Sequence, residues 1–140
     1  EFHPSGSLGA KLKTVEDLMI SGSKIPFVNE NSNMKKALKL ITQKRLGILI
    51  AINKKRLTTG IITDGQIRRS SQKNNSLNQL LVKDVMTKNP ISVDKEMLAV
   101  KGLAIMSENK ITSLCIHKKN KSNKTIGVLH IHNILDGNVS

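Results

Sequence analysis

Apolar positions follow a helical period, then a strand period, and then the whole pattern begins again. Met34, Ala37, Leu38 and Ile41 stand at i, i+3, i+4 and i+7, which puts them on one face of a helix. Ala99, Gly102, Leu103 and Met106 repeat that stripe further along. An apolar run over 47–52 follows the first stripe and a matching run over 112–117 follows the second, each predicting a buried strand. Gly60-Ile61-Ile62 has its counterpart in Gly127-Val128-Leu129, and each leads into a short helix, near 65–71 and 131–136. Ahead of each stripe stands a copy of one motif, Val15-Glu16-Asp17-Leu18-Met19 and Val82-Lys83-Asp84-Val85-Met86. Pro26 and Val28 find counterparts in Pro90 and Val93. Such self-similarity is the first thing a sequence should be searched for.

Each copy therefore reads helix, strand, helix, strand, strand, helix, an α+β unit. One copy is small for a core of its own, so the two are expected to pack together. The expected divisions are a leading segment 1–13, a first unit 14–71, a linker 72–81 and a second unit 82–140. The linker opens Ser/Asn/Gln-rich, and Leu77, Leu80 and Leu81 mark a turn of helix before the second copy.

The 140 residues carry a formal charge of +13, which points first to nucleic acid or another anionic surface. The lysines are scattered, however, and Phe2 and Phe27 are the only aromatic residues apart from the histidines. Single strands are held by stacking on aromatics, and that platform is missing, so no nucleic-acid partner is expected. The densest basic run, Lys118-Lys119-Asn120-Lys121-Ser122-Asn123-Lys124, lies between two strand-like segments and reads as a solvated hairpin loop. No apolar run approaches the ~20 residues of a membrane span, and no signal peptide opens the chain, so a cytoplasmic protein without a membrane partner is expected. The single cysteine, Cys115, sits in an apolar run and reads as a buried, inert thiol.

The candidate chemistry lies where strands run into helices. Thr63-Asp64-Gly65-Gln66 offers a hydroxyl, a carboxylate and helix N-terminal N–H groups, followed by Arg68 and Arg69. Helix N-termini favour anions, and guanidinium forks suit phosphates and carboxylates. The plainer alternative is that both turns only cap their helices, Thr63 or Asp64 in the first and Asn133 in the second. In the second copy His130 and His132 stand two apart on a strand-like segment and point the same way; a polar ligand contact is expected rather than a metal. Thr112 and Ser113 open the preceding strand and can hydrogen-bond a ligand, or simply reflect strand propensity.

Two tandem units in this order, each closing on a Gly-apolar-apolar-polar turn before a helix, resemble a pair of CBS domains, a Bateman module, over residues 14–140. The resemblance implies two units related by a pseudo-two-fold axis, with an anionic nucleotide bound in the cleft between them. It also implies a regulatory role toward an attached enzyme. The opening Phe2-His3-Pro4-Ser5-Gly6-Ser7-Leu8-Gly9-Ala10-Lys11-Leu12 is similar to the segment that joins the sugar-isomerase domain to the CBS pair in arabinose 5-phosphate isomerases. Those enzymes show Thr-Asp-Gly-Asp-Leu-Arg-Arg where this chain has Thr63 to Arg69. They also show Ile-Thr-Ser and Gly-Val-Leu-His-x-His, as at Ile111-Thr112-Ser113 and Gly127 to His132.

What the resemblance implies is a parent isomerase of ribulose 5-phosphate and arabinose 5-phosphate, serving Kdo and lipopolysaccharide synthesis. Residues 1–13 are then the remnant of a linker, the chain itself is not an enzyme, and His3 matches a catalytic histidine of the parent. In the family's nucleotide turn, Gly-x-x-Thr-x-x-Asp, the aspartate accepts both ribose hydroxyls. Here Gln66 replaces it, and in the second copy His130 and Asn133 replace the Thr and the Asp. The expected ligand residues are Gly47, Thr63, Asp64, Arg68, Arg69, Thr112, Ser113, His130 and His132. With both carboxylates gone, a ligand more anionic than AMP is expected, a sugar nucleotide such as CMP-Kdo. No cofactor is required. The alternative is an oligomerisation module with no working ligand site: such pairs associate as dimers, and the pair would hold a tetramer of the parent together.

Overall fold

The computed structural model describes residues 12–73 and 76–136. The leading segment 1–11, including His3, lies outside the described residues. The elements are α1 (Val15–Leu18), β1 (Ile20–Ser21), β2 (Phe27–Asn29), α2 (Met34–Lys44), β3 (Ile48–Ile52), β4 (Thr58–Thr63), α3 (Asp64–Lys73), α4 (Val82–Val85), β5 (Thr87–Lys88), β6 (Ser92–Asp94), α5 (Ala99–Asn109), β7 (Ser113–His117), β8 (Gly127–His130) and α6 (Ile131–Asp136). The α+β reading and the duplication both hold. A 3₁₀ turn at Leu77–Gln79 is the expected turn of helix ahead of the second copy.

The described residues divide into two compact units, one within 23–90 and one of 12–22 with 91–136. The divisions 14–71 and 82–140 drawn from the repeat mark the two sequence copies, and these compact units exchange the copies' leading segments. Each copy's leading helix packs in the unit built by the other copy's sheet. The fully buried Val82 of α4 joins Val28, Met34, Ala37, Ile41, Leu49, Ala51, Ile62 and Leu77. The fully buried Val15 of α1 joins Val93, Ala99, Met106, Leu114, Ile116, Leu129 and Ile134. Full burial of such a side chain contributes about 1.5–3 kcal/mol, enough to decide where a four-residue helix docks.

Backbone hydrogen bonds fix the same arrangement. The Val82 and Lys83 N–H groups donate to the Ser32 and Glu30 carbonyls, at 2.8 and 2.9 Å. The Val15 and Glu16 N–H groups donate to the Met97 and Lys95 carbonyls, at 2.8 and 3.2 Å. The linker is likewise part of the 23–90 unit: α3 runs to Lys73, Leu77 is buried, and the Leu80 carbonyl accepts the Met34 N–H at 2.8 Å.

Within 23–90 the sheet order is β2-β3-β4-β5, with β2 parallel to β3 and the other pairs antiparallel. The other unit's sheet runs β6-β7-β8-β1 in the same senses. In both, the outermost two-residue strand belongs to the exchanged segment, and a methionine beside it packs over a glycine. A Cβ at Gly60 would lie 2.6 Å from the Met86 sulfur, and one at Gly127 would collide with the Met19 sulfur. The helix stripes fall as predicted: Met34, Ala37 and Ile41 are buried on α2, and Ala99, Gly102 and Met106 on α5. Asp17 and Asp84 hold the short leading helices, accepting the backbone N–H of Thr14 and Leu81 at 2.8 and 3.0 Å.

Candidate functional site

In the 23–90 unit the site begins where β4 ends at Thr63 and α3 begins at Asp64. The Gly47 carbonyl, at the head of β3, accepts the Asp64 N–H at 3.1 Å and closes the turn. Gly47 has φ +69, and a Cβ there would stand 3.0 Å from Asp64 Oδ2. That conformation and that space both call for glycine, so Gly47 supports the turn through its backbone.

Thr63 and Gln66 form a reciprocal cap. Thr63 Oγ1 accepts the Gln66 N–H at 3.3 Å, and Gln66 Oε1 accepts the Thr63 N–H at 2.8 Å. The Thr63 hydroxyl also lies 3.3 Å from Gln66 Oε1, and Gln66 Nε2 donates to Thr87 Oγ1 on β5. The Thr-x-x-Gln spacing is that of a capping box, worth about 0.5–2 kcal/mol for the N-cap side chain. Gln66, which stands where the resemblance places a ribose acceptor, is thus engaged at both ends of its amide. The Asp64, Arg68 and Arg69 side chains are exposed. Arg69 bends back over the first turn, its Nη1 3.3 Å from where a Cβ on Gly65 would sit.

The second turn repeats the backbone scheme with other side chains. The Thr112 carbonyl accepts the Ile131 N–H at 2.8 Å, and Asn133 Oδ1 accepts the His130 N–H at 2.8 Å. His130 Nδ1 accepts the His132 N–H at 3.1 Å, and the two rings stack with centroids 4.8 Å apart and planes 18° apart. The two histidines do not share a strand: the strand ends at His130, and His132 lies in α6, which coincides with the short helix expected over 131–136. Burial first, and then the neighbouring His132, lowers the His130 pKa from 6.5. A neutral ring accepting at Nδ1 carries its proton on Nε2. Thr112 is exposed, whereas Ser113 is buried and pairs with His130 across the sheet.

The expected residues therefore form one cluster in each unit: Gly47, Thr63, Asp64 and Arg69 in one, Thr112, Ser113, His130 and His132 in the other. Arg68 stands beside the first cluster on α3 with no bonded partner in it. Sequence reasoning named Asn133 as a cap of its helix but missed that Gln66 caps the first one, although the Thr-x-x-Gln spacing was there to read. It also missed Thr87, which comes from the exchanged strand. Among the described residues no group of three His, Cys, Asp or Glu side chains could hold a metal ion. The Cys115 thiol is buried and its pKa is pushed up to about 11 by that burial, against a smaller lowering by a hydrogen bond with Thr125. At neutral pH it stays protonated and is a poor nucleophile. No helix among the described residues is long and apolar enough to cross a membrane.

Comparison with known proteins bears on what these turns are. The CBS domain model matches residues 15–73 and again 82–139. The chain is 37% identical over 138 residues to the arabinose 5-phosphate isomerase KdsD of Salmonella typhi, covering 98% of this chain and 41% of that protein. It is 34% identical over 139 residues to an uncharacterized protein of Rickettsia prowazekii, covering 99% of this chain and 42% of that one. The chain thus spans well under half the length of these curated relatives. Among solved structures, CBSX2 in complex with AMP matches with a TM-score of 0.76 at 23% identity, over 89% of this chain and 95% of that one. A CBS domain pair in complex with 5′-methylthioadenosine and S-adenosyl-L-methionine matches with a TM-score of 0.78 at 17% identity, over 89% and 94%. An uncharacterized conserved protein from Pyrococcus horikoshii matches with a TM-score of 0.81 at 20% identity, over 91% and 93%. Similarities at these identities establish the fold.

Proposed function

Because the chain belongs to the CBS-domain family, with two copies of the domain across 15–73 and 82–139, we propose that it is the regulatory, effector-binding part of an arabinose 5-phosphate isomerase. The effector is an anionic nucleotide or sugar nucleotide, and CMP-Kdo is the specific candidate. The 37% identity to an isomerase of that name supports the assignment of the parent activity. Neighbours solved with AMP and with S-adenosyl-L-methionine support nucleotide-like ligands.

One observation carries the choice of an anionic ligand. At the first turn the group that would accept ribose hydroxyls is an amide used as a helix cap, while Arg68 and Arg69 stand exposed beside it. A site that has exchanged a carboxylate for an amide and keeps two guanidinium groups selects for added negative charge. Isothermal titration and thermal melts of the chain with CMP-Kdo, AMP and ATP test this, since a ligand that prefers the folded state raises the midpoint. CMP-Kdo is expected to bind and to raise the midpoint more than AMP. Heat from AMP or ATP with none from CMP-Kdo reverses the ligand assignment.

The capping itself supports a second reading, an assembly module. Gln66 and Asn133 both serve their own helices, which suits a pair that holds copies of the parent enzyme together and binds nothing. Sedimentation equilibrium distinguishes it: this reading expects a dimer whose association is indifferent to every nucleotide tested.

A further inference from the structure

We propose that one flank of α3 is a seat for a phosphomonoester dianion, formed by Arg69, Ser70 and Lys73 over Val85 and walled by Gln66. These five residues line one depression within the 23–90 unit. Positions 66, 69, 70 and 73 are i, i+3, i+4 and i+7 on the helix, so their side chains share a face. No residue of α3 is fully buried, and this face is open to solvent.

The chemistry of the lining is that of an anion seat. Arg69 offers a planar fork, Lys73 a point charge, and Ser70 a hydroxyl between them. Gln66 is a wall, because its amide is engaged by Thr63 and Thr87. Arg69 is folded back over Gly65, which brings its guanidinium near the first turn. Neither cation has a carboxylate partner among the described residues, where the one ion pair is Lys95 with Glu16 in the other unit. The acid on the neighbouring α4, Asp84, is engaged with the Leu81 N–H at 3.0 Å. Val85 is half-buried and gives the floor an apolar surface, which suits an organic phosphate better than free phosphate.

The other unit shows that the fold does not demand this arrangement. There the residue equivalent to Arg69 is Asp136, an acid, and the residue equivalent to Arg68 is the exposed Leu135. The seat is built on α3 and floored by Val85 of α4. It shares Arg69 and Gln66 with the effector reading above, but it lies along the helix flank and needs neither ribose recognition nor the second turn.

The test is an NMR titration of the ¹⁵N-labelled 140-residue chain with phenyl phosphate, inorganic phosphate and, at equal ionic strength, chloride. Phenyl phosphate is expected to move the Ser70 and Lys73 amides and the Arg69 Nε–H saturably, and inorganic phosphate to move them more weakly. Lys73→Gln and Ser70→Ala should each weaken half-saturation about fivefold or more, as loss of a charged or hydroxyl donor to an anion does. Lys101→Gln, an exposed lysine of α5, should leave it unchanged. Shifts no larger than those from chloride, shifts confined to residues 63–65, or an affinity indifferent to Lys73→Gln would each overturn the proposal. Failure of the nucleotide melts alone would leave it standing.

Discussion

The two strand-to-helix turns share a backbone and differ in nearly everything attached to it. In each, a carbonyl at the head of a strand, Gly47 or Thr112, accepts the first helical N–H. In each, the side chain three residues into the turn, Gln66 or Asn133, accepts the N–H of the residue that starts it. That much is duplicated, and it makes the corner. Thr63 against His130, Gly65 against His132 and Arg69 against Asp136 are the differences. The comparison separates what the fold requires from what a ligand would read, and it places the cationic chemistry at the first turn only.

The largest expected effects test whether the two units are built alike. Ile62→Ala and Leu129→Ala occupy equivalent, fully buried core positions. Each should cost about 2–5 kcal/mol in urea unfolding. Amide exchange should show the first loss concentrated in 23–90 and the second in 91–136. Next come the glycines beneath the exchanged strands. Gly60→Ala and Gly127→Ala force a Cβ into Met86 and Met19, and each should cost about 1–3 kcal/mol. Pairing Gly60→Ala with Met86→Ala should recover part of the loss, and additivity of the two would count against the contact.

Smaller effects distinguish the two caps. Gln66→Ala removes the three bonds of the amide and should cost about 1 kcal/mol, more than Asn133→Ala, which removes one. Equal losses would mean that the bonds to the Thr63 hydroxyl and to Thr87 contribute nothing. The smallest effect is the pH dependence of the second turn. The His130 pKa in the folded chain lies below 6.5, so the unfolded chain takes up more protons as the pH falls. Stability from this site is complete above about 6.5 and declines as the pH is lowered through the folded value. His130→Gln should flatten the melting midpoint between pH 7 and 5 relative to the parent chain; an unchanged slope would remove His130 as its cause.

Much of the architecture was legible because burial imposes periodicity. The stripe Met34, Ala37, Ile41 and its echo Ala99, Gly102, Met106 could lie only on inner helix faces, and they do. The exchange of leading segments was not legible, for the two motifs, Val15 to Met19 and Val82 to Met86, are near-copies. Either fits either sheet, and only distance in three dimensions decides. The candidate site was read one step too close to its ligand. Gln66 was weighed against the aspartate it replaces, whereas its spacing from Thr63 already described a cap. His130 and His132 were read on one strand although the short helix expected over 131–136 already took in His132. Asn133, three residues on from His130, caps the helix as its spacing allowed.

The exchanged segments also set an order in which the chain can finish folding. Residues 23–90 form one continuous run, so that unit needs nothing that emerges later from the ribosome. The other unit must wait: α1 stays without its partners until 91–136 have been made, and an entire folded insert then separates the two pieces that meet. Closing so long a loop costs only a few kcal/mol, because the penalty grows with the logarithm of length. During that interval Val15 and Met19 are exposed to any other sheet with a vacant edge, including one on a neighbouring nascent chain.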